Sequence, residues 1–165
     1  MASENKDKEA LKVLFSIVER NVVSAAEAMP ADKYSFAPAT GEFKGVRIFA
    51  EQVKHAAATN HILAAAALGE DPPADAGDEQ GPDSIRTKAE IVNYLKDSFT
   101  HLHKALDLMD EENPKVKSSP ISPFQGNSPT RMALIVESLL HAYDHYGQMV
   151  EYLRMNGVVP PASRN

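Results

Sequence analysis

The stretch "LLHAYDHYGQMVEYLRMNGVVPP", Leu139 to Pro161, decides how the chain is read. Its apolar residues recur at helical rather than strand spacing, and Gly157 followed by Pro160 is a stop signal. The helix opens upstream at "NSPTRMALIV", where Ser128 can cap and Pro129 suits the first helical position. His141 and His145 lie four residues apart, about 40° from each other on one face, so their imidazoles can converge on one ion. The expected apolar stripe is Met132, Ile135, Val136, Leu139, Tyr143, Tyr146, Val150 and Leu153. The histidines fall roughly opposite it, with Leu134, Ser138, Gln148 and Tyr152, on a face that would line a cleft or an interface.

Three more helices precede this one. The first is expected from Asp7 to Met29, with Leu11, Leu14, Val18 and Val22 at helical spacing and Pro30 ending it. The second is expected from Val46 to Leu68, rich in alanine and stopped at Gly69. In the third, Thr87 and Glu90 have capping-box spacing, and Ile91, Leu95, Leu102, Ala105 and Met109 mark its buried stripe. No segment alternates in polarity as a strand would. The prediction is an all-α four-helix bundle with long connections, one domain over residues 1–165. "PADKYSFAPATGEFKG" carries three aromatics and is expected to pack on the bundle. "EDPPADAGDEQGPD" reads as an exposed acidic loop, and "ENPKVKSSPISPFQGN" as a further linker.

Composition narrows the chemistry. With 17 Lys and Arg against 23 Asp and Glu, the net charge is −6, and no basic stripe suggests a nucleic-acid partner. No apolar run is long enough to span a membrane or to serve as a signal peptide, so the expected location is the cytoplasm. There is no cysteine, which leaves His, Asp and Glu to hold any transition metal. Of the six histidines, His101 and His103 point about 160° apart on a helix and cannot chelate together. His55 and His61 diverge by about 120°, so at most one of them joins a site. Spacing leaves the third ligand open between His55, His61 and a carboxylate. A catalytic site of the zinc type needs three protein ligands and an open position.

Two blocks resemble a known family. "H-x-x-x-H-Y-G-Q" followed by "Y-L-R-x-N-G-x-x-P-P" is similar to the last helix and tail of the DinB-like (YfiT-like) superfamily. "KYSFAPATGEF" followed by "VRIFAEQVKHAAATNHIL" is similar to that family's approach to its second helix. Ile48 stands where the family often has a capping Ser or Thr. The resemblance implies a four-helix bundle with a divalent metal held by His55, His141 and His145. Asn60 and Gln148 are the candidates to orient those ligands from behind, and His61, His101 and His103 are taken as surface or structural. Zn or Ni is the expected metal, with Fe or Cu as further options, and no catalytic side chain is named beyond a metal-bound water with a pKa lowered toward about 7. The implied activity is that of a hydrolase or thiol S-transferase, with a thiol cofactor possible and a homodimer as the assembly. The alternative is a non-catalytic dimeric helical bundle that serves in stress or binding. Because ligation needs neutral imidazoles, metal binding is expected to weaken below about pH 6. Nothing in the residues names the substrate.

Overall fold

Four helices, α1 (Lys6–Ala28), α2 (Phe49–Leu68), α3 (Lys88–Asp107) and α4 (Arg131–Met155), build the chain in a computed structural model. The structure describes residues 6–76, 78–110, 112–117, 122–124 and 127–164. The two ends of the expected 1–165 domain and parts of the second and third connections lie outside the described residues. Among the described residues there is no strand, only an isolated antiparallel bridge between Lys115 and Thr130.

α2 is the central element and packs chiefly against α3 and α4. Its alanines explain this: Ala56, Ala57, Ala58, Ala64 and Ala65 are fully buried, and their small side chains let neighbours approach from several sides. A helix buried most of the way round needs no polar face. It ends at Gly69, left-handed at φ 78°, where Glu70 N–H donates to Ala65 O and Gly69 N–H to Ala66 O. α4 ends the same way at Gly157. α1 and α3 lack such a glycine, and cations serve instead. Lys88 Nζ donates to the carbonyls of Glu27 and Met29 after α1, and Arg131 donates to that of Leu108 after α3 while also reaching Ala67 O in the last turn of α2.

Several expectations hold. Thr87 and Glu90 form the capping box that opens α3, and the five residues named for its stripe are all buried. Tyr34 is buried with its hydroxyl donating to Ala26 O, and Phe36 packs edge-on to Tyr152. The carbonyls of Phe36 and Tyr34 then accept from the first N–H groups of α2, at Phe49 and Ala50.

Others need correction. α2 begins at Phe49 rather than Val46, because the chain is extended at Ile48 and the Glu51 carboxylate accepts from Ile48 N–H. α4 is capped by Thr130, not Ser128: Pro129 O and Arg131 N are bonded to Val116 and Pro114, which keeps the chain extended up to Thr130. On α1, Leu14 is exposed and Phe15 fills the core. The α4 stripe was misplaced as well. Tyr143 is about half exposed, whereas Leu134, Ser138, Ala142, His145, Met149 and Tyr152 are buried. Tyrosines count as apolar in a periodicity argument, yet Tyr143 lies outside, against the ring of Tyr146, which is half-buried on the core. The histidine face points into the bundle. No helix among the described residues is long and apolar enough to cross a membrane.

Candidate metal centre

α2 contributes His55 and α4 contributes His141 and His145, one turn apart. Their ligand nitrogens all lie within 4.8 Å of one another. His141 Nε2 is 3.2 Å from His55 Nε2 and 3.1 Å from His145 Nε2. His55 and His145 are buried and His141 is half-buried.

The proton positions follow from the neighbours. Asp144 has only acceptors to offer when ionised, so Gln148 must turn its amide nitrogen toward it, at 2.9 Å. Gln148 then presents its oxygen to Gln52 Nε2, at 2.7 Å. Gln52 in turn presents its oxygen to His145 Nδ1, at 2.8 Å, and that nitrogen must be the donor. On the other side, His55 Nδ1 donates to the carbonyl of Glu79 at 2.8 Å, with the Glu79 carboxylate at 3.6 Å. Both imidazoles therefore carry their proton on Nδ1 and turn the Nε2 lone pair inward. A neutral His141 can bring at most one proton to this meeting of three nitrogens. If its proton is on Nδ1, three lone pairs face one another at about hydrogen-bond distance. His141 Nδ1 is buried without a partner. Two convergent lone pairs with locked tautomers, beside a third Nε2 that no partner on its own ring ties to either tautomer, fit a cation better than they fit each other.

Burial is the main reason why all three imidazoles resist protonation. His141 is lowered to about 3 and His145 to about 4, and His55 is also lowered. The other imidazoles and Arg47 add to the effect on His141, and His55 and Arg47 to that on His145. His141 and His145 are thus neutral, as ligation demands, well below the usual histidine range, and His55 is shifted in the same direction.

One cavity reaches the centre, and a second lies beyond Gln52 and Gln148. The first, of about 320 Å³, is lined by His141, Glu79, Thr59, Glu137, Leu63, Leu140 and Pro123. Thr59 Oγ1 is buried there without a partner. The other, of about 480 Å³, is lined by Arg47, Glu51, Gln52, Gln80 and Gln148 together with Gly45 and Val46.

The two residues expected to stand behind the ligands fare differently. Asn60 donates to Ser98 at 3.2 Å and bonds no imidazole. Gln148 sits one step further out, behind Gln52. Gln52 and Glu79 hold the rings, and sequence reasoning missed both. Gln52 left one signal, a polar residue one turn before His55 in a helix otherwise bound for the core. Glu79 left none, since its segment reads as exposed acidic loop; in fact Ala76 of that segment is fully buried. Glu79 also has φ 72°, unusual for a non-glycine residue, which turns its carbonyl site-ward. The remaining histidines stand apart. His61 and His101 meet through their Nδ1 atoms at 3.1 Å, and His103 bonds Glu19 of α1 at 2.7 Å.

An all-helical bundle with a three-histidine group between two facing helices defines a class of proteins whose inner face could hold a metal ion. The chain matches the family model of the DinB superfamily over residues 14–149 and belongs to that superfamily. No curated protein matches it.

Proposed function

We propose that this protein is a metal-dependent enzyme, a hydrolase or a thiol S-transferase, with His55, His141 and His145 as ligands of one divalent ion, Zn or Ni. The observation that carries the reading is the convergence of three Nε2 atoms, two of them with lone pairs turned inward by Gln52 and Glu79. Three neutral imidazoles leave a bound ion its full charge, and it would supply Lewis acidity that favours deprotonation of a water or thiol. The chain does the rest. Gln52 and Glu79 fix the ligand tautomers, and the Asp144–Gln148 pair fixes Gln52. The smaller cavity sets the polar Glu79, Glu137 and His141 beside an apolar wall of Leu63 and Leu140.

The test reconstitutes metal-free protein with Zn or Ni and assays two reaction classes: hydrolysis of activated esters and amides, and transfer of a thiol to an electrophile. Turnover that needs the metal and disappears in His141→Ala supports the reading. Metal uptake without turnover in either class favours a binding role. The dimeric alternative rests on its own observation, the exposed Val13, Leu14 and Ile17 on α1 with Leu140 and Tyr143 on α4. A homodimer in the cytoplasm is compatible with both readings, and sedimentation of the purified chain tests the dimer.

A further inference from the structure

We propose that His61 and His101 form a second, weaker site for a late first-row divalent metal ion, Zn, Ni or Cu, which ties α2 to α3. The site is separate from the three-histidine centre and does not depend on it.

His61 belongs to α2 and His101 to α3, and their Nδ1 atoms lie 3.1 Å apart. The Nε2 atoms of His141 and His145 have the same separation. Two nitrogens on one tetrahedral ion, each about 2.0–2.1 Å from it, are about 3.3 Å apart. The two helices therefore already stand at the distance that an ion between the imidazoles requires. His61 follows His55 by six positions, which puts it about 9 Å further along α2 and about 120° round it, so one ion cannot serve both sites.

The seam between the helices holds the pair in place. Asn60, beside His61, donates to Ser98 Oγ at 3.2 Å, about one turn before His101. The Tyr94 ring packs against His61, with centroids 5.0 Å apart. His61 is buried, whereas the His101 side chain keeps 16% of its surface exposed. His101 lines a cavity of about 420 Å³ with Glu70, Lys104 and Asp107, so an ion can enter from the His101 side. Solvent then fills the positions that two imidazoles leave open. Burial above all lowers His61 to about 4 and also lowers His101, so both are mainly neutral at neutral pH.

Protons and charges agree with this. The Glu70 carboxylate, 3.9 Å from His101 Nε2, favours a proton on that nitrogen and so turns the His101 Nδ1 lone pair toward His61. Without metal, His61 Nδ1 donates into that lone pair. When an ion binds, the His61 proton passes to Nε2, a change of tautomer with no net release of a proton, and both Nδ1 lone pairs face the ion. Glu70 and Asp107 outnumber Lys104 along the cavity, and the charges of Asp75 and Asp97 are felt at His61. Two imidazoles hold an ion less tightly than three, so this ion is given up when excess metal is removed.

The experiment titrates metal-free, full-length protein with Zn(II) at equilibrium near neutral pH, with a chromogenic chelator as competitor and NMR of the imidazole nitrogens. Wild type should bind two ions per chain, the second more weakly by about tenfold or more. His101→Gln keeps much of the bulk and a hydrogen-bonding group for His61. It should bind the tighter ion only, with helix content unchanged by circular dichroism. His141→Ala should lose the tighter ion and keep the weaker one, with the His61 and His101 ring nitrogens still shifting on addition of Zn(II). Excess Zn(II) should raise the thermal midpoint of His141→Ala and leave that of His141→Ala/His101→Gln where it is. No second ion in the wild type, or a second ion that survives in His101→Gln, overturns the proposal and leaves the three-histidine reading intact. A tighter ion that survives in His141→Ala overturns the three-histidine reading instead, and His101→Gln still decides this one.

Discussion

Gln52 Oε1 accepts the Nδ1 proton of His145 at 2.8 Å, and that single bond decides which lone pair His145 turns toward His55 and His141. Gln52→Leu removes the acceptor and keeps roughly the bulk. Metal affinity should fall about 10- to 100-fold with little loss of fold, as measured by competition with a chromogenic chelator. Gln52→Glu keeps the acceptor for His145 but loses the donor to Gln148 Oε1, and should retain part of the affinity. Equal affinity in the Leu variant and the wild type would show that the bond has no part in ligation.

Glu79 supplies the corresponding bond to His55 through its backbone, not its side chain. Its φ of 72° suits glycine. Glu79→Gly should therefore raise the thermal midpoint, by up to about 1 kcal/mol of relieved strain, and leave metal affinity within a few-fold of wild type. A large loss of affinity would instead assign the work to the carboxylate at 3.6 Å.

Protons offer a third check. In the unfolded chain the site histidines titrate near 6.5, whereas in the folded chain His145 is lowered to about 4 and His141 to about 3. Below pH 6.5 the unfolded state binds more protons, so acid favours unfolding. His61, lowered to about 4 mainly by burial, acts in the same direction. The urea midpoint of metal-free protein should be level above about pH 7.5 and fall between about pH 6.5 and 4.5. A midpoint level across the lower window would contradict the burial account. The same shifts revise the sequence-based expectation that binding weakens below about pH 6: His141 and His145 stay neutral further into acid and His55 is shifted the same way, so the loss of affinity should begin at lower pH than for free imidazoles.

Packing around α2 gives a fourth. Ala57 has no exposed surface and belongs to the core. Ala57→Leu forces three extra carbons into filled space and should cost about 1–3 kcal/mol by denaturant titration. A neutral result would mean that the small residues of α2 are not there for close approach.

How much of this could be read beforehand depended on range. Local signals worked: the Thr87–Glu90 capping box and the glycines at 69 and 157 act within one turn, and each does what its residue type dictates. The His141–His145 pair was legible for the same reason. Faces were harder. Periodicity counted Tyr143 as core and could not know that alanine, serine and histidine would fill much of the inner side of α4. Contacts between distant segments were invisible. Gln52 and His145 are 93 residues apart, and Glu79 reaches His55 from a loop whose composition says only that it is polar. His55 itself came into the site through resemblance, since spacing alone could not choose between it and His61.

The central claim is that these three histidines hold one metal ion. The most direct measurement is the metal stoichiometry of untagged protein after incubation with Zn or Ni and removal of excess, in wild type and in His141→Ala, with circular dichroism to confirm that the helices remain. The account predicts one ion per chain in the wild type and none retained in the variant. A wild-type chain that retains no ion, or a variant that retains as much as the wild type, would contradict it.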